Sequence, residues 1–425
     1  MKLLKSLAVC AVALLGANAA NAQIKVYITG STAFRGPTNT EINALISGSP
    51  TVASSNATLT SAGAVMWKGG NIGGTAVTVK AAWTGSAAGV QTVAGNGANP
   101  SLLVKFLVDT ASGTSNLDPN STSNPNPIFE TAIPDVAMSD TLQSTTPFNG
   151  TVAGVSYQSL DDTKVGVVTF KWVASNGFPA GKTMTDRVAR YIYSNLGYLP
   201  LSVLTGSHSD ESKMILGLGR NPDSGTRLTT FAEIGYGVTG LVKQWKPTFS
   251  GSGATKQATS AILWPVETVN GISTGAAGNS GENSGGTLAG DLNCTLASGA
   301  YDPDGLGGFT AGYYVAYLGV NDGNSAINSV NLPGVELAHN GVTFSQAAVE
   351  EGLYTFWGFE HAMKRSNLGT GTAGGTNDPV KLAFYNSLVT HITGETSTQL
   401  NPNVALTDMQ CTRGTDGGDV TLTFF

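Results

Sequence analysis

The chain has 425 residues, with 22 Lys+Arg against 28 Asp+Glu, and 55 of its residues are glycine. With 12% charged and 41% hydrophobic residues, against about 25% charged in ordinary domains, disorder driven by charge repulsion is excluded and packed cores are expected. A net charge of −6 without a cluster of Lys or Arg excludes an electrostatic footprint for nucleic acid.

Lys2 and Lys5, the apolar run Ser6 to Ala17 and the small-residue pattern Ala20-Asn21-Ala22 predict a signal peptide over residues 1–22. That run is shorter than the ~20 residues a spanning helix needs. The mature chain is therefore expected to start at Gln23, without a membrane span, in the periplasm or at the cell surface. Ile24–Thr29 alternates and is β-branched, which predicts a strand. It stops at Gly30-Ser31-Thr32, and a helix over 37–46 follows, with Ile42, Leu45 and Ile46 on one face. Strand signals run through 64–92 and include the GSAAGVQTV stretch that begins at Gly85. Residues 109–127, rich in Ser, Asn, Pro and Gly, read as an exposed loop.

Buried strands are predicted at 133–140 and 164–174, and helices at 184–196 and 226–236. Gly, Ser, Asn and Thr dominate residues 250–308, which read as an insertion or long loop outside the core. Tyr313–Val320 reads as a strand, 345–364 as helix-rich or mixed, and Asp378–Ile392 as an amphipathic helix opened by Asp378-Pro379. Alternation of strands and helices indicates an α/β fold with largely parallel sheets. Cys294 and Cys411 are candidate disulfide partners if the chain is exported. The four histidines are scattered, no spacing suits zinc, and neither a metal nor a cofactor is expected.

Four short segments share one property: each places hydroxyls or free backbone N–H groups at a strand-to-helix junction or a Gly-containing turn. They are Gly30–Arg35, Gly85–Gly89, Ala137–Asp140 and Arg220–Arg227. A helix start offers unsatisfied N–H donors and about half a positive charge, so it receives anions without a full counter-charge. Singly, each segment is read as an ordinary N-cap or surface ion pair.

Taken together and in order, ITGSTAFRGP (28–37), WTGSAAGVQ (83–91), VAMSDTLQS (136–144) and GRNPDSGTR (219–227) resemble the phosphate-binding proteins of ABC importers. These belong to the type II periplasmic binding-protein superfamily. AGYYVAYLGV (311–320) and GLYTFWGFEHAMK (352–364) extend the resemblance over most of the mature chain, with 250–308 outside it.

The resemblance implies a two-lobed fold with a hinge: lobe I from 23–166 and 320–425, lobe II from 167–319. It implies a ligand set of Thr32, Ala33, Phe34 through its backbone N–H, Ser86, Asp140, Arg220, Ser224, Gly225 and Thr226. Asp140 would accept the proton of a protonated phosphate, which sulfate cannot offer. Ala33 stands where the family has Thr, and GSAAG replaces a GSGGG-like turn. The implied function is capture of phosphate or a related tetrahedral oxyanion by a monomer, for import through an ABC permease. No nucleophile elbow or positioned histidine accompanies Ser224, so no enzymatic activity is expected. The rival reading is an exported surface or matrix interaction protein that keeps the scaffold without transport.

Overall fold

In a computed structural model, residues 23–98, 102–120, 128–194, 197–303, 305 and 307–423 are described; the expected signal peptide lies outside them. A 12-stranded mixed sheet organises the chain. Its path runs Tyr198–Pro200, Lys213–Gly217, Ala311–Gly319, Leu160–Ala174, Trp357–Arg365, Val136–Ser139, Ile24–Gly30, Thr75–Ala82, Ala64–Ile72 and Thr51–Ser54. The two remaining strands, Val335–His339 and Thr183–Met184, branch off the long strand Leu160–Ala174.

Parallel pairing joins Ile24–Gly30 to both of its neighbours, Lys213–Gly217 to Ala311–Gly319, and Thr183–Met184 to Val335–His339. The other ladders of this sheet are antiparallel, so parallel pairing is less extensive than the alternation of elements implied. The reason is local: hairpins such as Ala64–Ile72 with Thr75–Ala82 return through a two-residue Gly73-Gly74 turn, and a tight turn of that length can only pair strands antiparallel.

The long strand divides the sheet. From Leu160 to Thr169 it pairs with Trp357–Arg365, and from Phe170 to Ala174 it pairs with Ala311–Gly319 and partly with Val335–His339. Residues 320–339, expected in the first lobe, pack with the second half instead. Helix Val320–Ile327 lies on the long strand, where a Cβ at Gly323 would meet Lys171 Cγ at 2.8 Å, and Val335–His339 pairs with Trp172–Ala174. One continuous core passes through both halves. At the junction Trp172 stacks on Phe356 with centroids 5.1 Å apart and meets Tyr317 edge-on at 6.1 Å.

Two further expectations are corrected. GSAAGVQTV forms a wholly buried helix, Ser86–Gly95, because its small residues let it sit against the sheet: a Cβ on Gly89 would meet Gly30 Cα at 2.7 Å. Residues 250–308 are not a loop outside the core. The Trp245–Ser250/Gln257–Leu263 hairpin and helix Gly285–Leu292 contribute Trp245, Ala258, Ala261, Leu288 and Leu292 to a second hydrophobic cluster.

That cluster also explains why the candidate disulfide does not form. Cys294 is buried within it, whereas Cys411 is buried in the large core, and both thiols are free. Cys294 Sγ donates to Asp291 O at 3.1 Å, and Cys411 Sγ to Val349 O at 3.7 Å.

The C-terminal segment closes the molecule behind helix Gly225–Glu233. Arg413 donates to Glu233 Oε2 at 2.7 Å, to Trp357 O at 3.1 Å and to Thr355 O at 2.7 Å. Asp416 accepts from Thr141 Oγ1 at 2.7 Å and from the Leu142 N–H at 2.8 Å. Gly417 lies so close to the helix that a Cβ would meet Ala232 C at 2.2 Å. No helix among the described residues is long and apolar enough to cross a membrane.

Candidate functional site

Strand Ile24–Gly30 ends against its neighbour. Gly30 has φ +118, and a Cβ there would lie 2.0 Å from Met138 O, so only glycine lets the chain turn away here. Ser31 N–H then donates to Met138 O at 2.8 Å. The Phe34 N–H, expected to face the ligand, instead donates to Ser31 Oγ at 3.3 Å, while the Phe34 ring is buried beside Gly166. Thr32 and Ala33 line a cavity of about 370 Å³.

Gly85, with φ +102, passes against a different part of the chain: a Cβ would meet Asp223 O at 2.6 Å. That approach brings the second and fourth sequence segments together, and Ala87 N–H donates to the same carbonyl at 3.0 Å. Ser86 opens the buried helix, and its hydroxyl donates to Asp140 Oδ1, whose own N–H returns a bond to Ser86 Oγ at 3.2 Å. From the other side Thr226 Oγ1 donates to Asp140 Oδ2 at 3.0 Å, and Thr229 Oγ1 to Asp140 O at 2.8 Å. Ser224 is the N-cap, accepting from Arg227 N–H at 3.2 Å. Gly225 has no room for a side chain, since its Cβ would sit 1.7 Å from Asp140 Oδ1. The positive end of helix Gly225–Glu233 therefore abuts a buried carboxylate. Burial raises the Asp140 pKa, opposed by the Ser86 and Thr226 hydroxyls and by the charge of Arg220.

Arg220 is buried, and main-chain carbonyls orient it. Its Nε donates to Glu282 O and its Nη2 to Asn283 O, each at 3.0 Å. Its own carbonyl accepts from Arg227 Nη1 at 2.9 Å and from Gln244 Nε2 at 3.0 Å, and its N–H donates to Tyr317 Oη at 3.0 Å. Burial lowers its pKa, offset by Asp322, Tyr317 and Asp140. Asp322 in turn feels both Arg35 and Arg220.

Ser86, Asp140, Ser224, Gly225 and Thr226 thus converge, and Arg220 lies within electrostatic reach. Phe34 has its N–H taken, and Thr32 and Ala33 face the cavity. Sequence reasoning missed Arg35, Asp223, Asp322 and Glu360. Arg35 was legible as the last residue of the first motif. A second cavity of about 840 Å³ shares Thr32, Arg35 and Ser61 with the smaller one and is lined by Asp118, Asp223, Glu267 and Glu282. Ser86, Asp140, Arg220, Ser224, Gly225 and Thr226 line neither cavity: Ser86, Asp140 and Thr226 close on one another, and the Arg220 guanidinium is taken up by the carbonyls of Glu282 and Asn283.

Glu360 is the most unusual of the missed groups. It is 0% exposed, neither carboxyl oxygen has a hydrogen-bond partner of good geometry, and burial followed by the charge of Asp140, against the nearby Ser31 hydroxyl, holds its pKa well above the ordinary range.

No family model matches the chain, and no curated protein does. In overall chain path it is similar to several solved proteins. One, from Clostridium perfringens, is assigned as a phosphate ABC transporter substrate-binding protein and was solved with bound phosphate; it is 13% identical, with 87% of this chain and 93% of that one covered at a TM-score of 0.39. An ABC-type phosphate transport receptor from Vibrio cholerae is 11% identical, covering 86% and 98%, with a TM-score of 0.38. PstS from Borrelia burgdorferi is 10% identical, covering 90% and 99%, with a TM-score of 0.38.

Proposed function

We propose that the protein is an exported solute-binding protein that captures phosphate, or a related tetrahedral oxyanion, for ABC-type import. The observation that carries the proposal is the Thr226–Asp140 hydrogen bond of 3.0 Å, made where Ser86 and the N-terminus of helix Gly225–Glu233 also meet. In this reading the two halves of the sheet are lobes that pivot near Thr169–Phe170 and Thr355–Trp357. The unliganded site is latched by its own side chains. An incoming oxyanion inserts between Asp140 and the helix N-terminus, and Thr226, Ser86 and the Gly225 and Thr226 N–H groups transfer to its oxygens. Arg220 supplies positive charge from the side. Asp140 then accepts the ligand's proton, which leaves no buried acceptor unpaired. Binding energy that differs between open and closed arrangements drives closure, and no covalent step is needed.

Titration calorimetry and thermal melting of the purified protein with phosphate, arsenate and sulfate test this. Phosphate and arsenate should release heat and raise the melting temperature as RT ln(1 + [L]/Kd) prescribes, while sulfate should do neither. A flat response to millimolar phosphate would overturn the proposal. One observation favours the second reading, a surface or matrix interaction protein: among the described residues, four carboxylates and one cation, Arg35, line the larger cavity. That surface suits a neutral polar or cationic partner better than a free anion.

A further inference from the structure

Glu360 sits where the strands of the candidate site meet. It pairs across the ladder with Gly166, the residue whose missing side chain makes room for the Phe34 ring. Its strand neighbour His361 pairs with Ser139, the residue just before Asp140. Two positions along, on the same face, a Cβ on Gly358 would touch Asp140 O at 3.2 Å and Thr229 Cγ2 at 3.0 Å. Ser31 and Asp140 are the polar groups that face the Glu360 carboxyl, from the first turn and from the end of Val136–Ser139. On the long strand Gly166 stands directly opposite, the nearby cation Lys164 lies over the Phe359 ring with Nζ 3.7 Å from its centroid, and helix Arg35–Leu45 is preceded by the apolar Phe34 ring. Among the described residues no cation pairs with Glu360.

A fully buried carboxylate beside a second carboxylate, with no cation and only the Ser31 hydroxyl to face it, is among the costliest arrangements in a protein interior. It is relieved in one way without rearranging the chain: the group holds its proton and awaits an acceptor. Bound hydrogenphosphate has oxygens to spare as acceptors. We propose, resting on the oxyanion-capture reading, that Glu360 is held as the neutral acid and donates its O–H to the bound oxyanion, opposite the proton that the oxyanion donates to Asp140. The two carboxyls then play complementary parts, one giving and one taking: the contact to Asp140 selects a protonated oxyanion over sulfate, while the Glu360 O–H is a donor that strengthens binding of any tetrahedral oxyanion.

The test is phosphate affinity by calorimetry from about pH 8 to about pH 10, where the free ion stays hydrogenphosphate, for the wild type, Glu360→Gln and Glu360→Ala. An infrared measurement of protonated-carboxyl C=O stretching in unliganded protein at about pH 8 accompanies it. The wild type should lose affinity as pH rises. Glu360→Gln, whose amide still donates, should keep affinity within about threefold and lose that pH dependence, while Glu360→Ala should weaken binding about tenfold or more. The infrared band should be present in the wild type and absent from Glu360→Gln. Phosphate binding without the band, or with an unchanged pH profile in Glu360→Gln, would overturn this inference alone. The band without any phosphate heat would overturn the capture reading, and the ligand-facing role with it.

Discussion

Thr226 Oγ1 lies 3.0 Å from Asp140 Oδ2, and this single contact joins the end of a central strand to the first turn of a helix 86 residues further along the chain. Both partners are buried, so neither can exchange the bond for water. Replacing Thr226 by Val removes the donor at nearly constant volume and leaves the carboxylate short of a partner. The expected loss is about 1–3 kcal/mol of stability, read as a lowered denaturant midpoint with an unchanged slope.

Asp140→Asn keeps an oxygen to accept from one hydroxyl but can donate through its NH₂. The phosphate-induced rise in melting temperature should shrink and any sulfate-induced rise should grow, so that the two converge. A melting series with both ions at equal concentration checks it.

Arg220→Ala should weaken phosphate and arsenate alike, because it removes charge rather than proton recognition. It also frees the carbonyls of Glu282 and Asn283, which the guanidinium holds at 3.0 Å. Amide hydrogen exchange over 279–284 should therefore accelerate in the variant even without ligand.

Burial pushes the Asp223 carboxyl up to about 7, against the hydrogen bond from Asn270 and the charge of Arg220. A carboxyl whose folded pKa exceeds its unfolded one binds more protons in the native state, so its contribution to stability declines as pH rises from about 4 to about 7. Asp223→Asn should flatten that part of the stability–pH curve, measured by urea unfolding at closely spaced pH values.

The two thiols should behave as separate, protected groups. Burial pushes Cys294 up to about 12, so it presents little thiolate at neutral pH. A maleimide should label neither residue quickly in the native protein and should label both in denaturant without prior reduction. Mass spectrometry reads the count.

The alternation of IKVYIT and the caps Ser224 and Asp378 made most elements legible, because local periodicity and hydrogen-bonding chemistry act within a few residues. GSAAGVQTV misled for a physical reason. Its Val and Thr favour a strand, yet its Gly and Ala pack a helix tightly on Gly30, a contact 59 residues away in sequence that no local preference encodes. The Gly/Ser/Asn composition of 250–308 likewise hid a hairpin and a helix whose apolar residues are few, with Ala258, Ala261, Leu288 and Leu292 buried in the second cluster. At the site, the motifs named Ser86, Asp140 and Thr226 as ligands of one oxyanion, and in the structure these three touch one another. Glu360 was invisible because nothing near it in sequence reports that its neighbours across the sheet are Gly166 and the residue preceding Asp140.

Helix Gly225–Glu233 is gripped at its far end by Arg413 and Gly417 as firmly as Thr226 grips Asp140 at its near end. Any movement of that helix to admit a ligand would therefore be transmitted to the segment that begins at Arg413. A fluorophore or a fused reporter placed there would register occupancy of a pocket it never touches. Trimming that tail would alter affinity with every ligand contact intact.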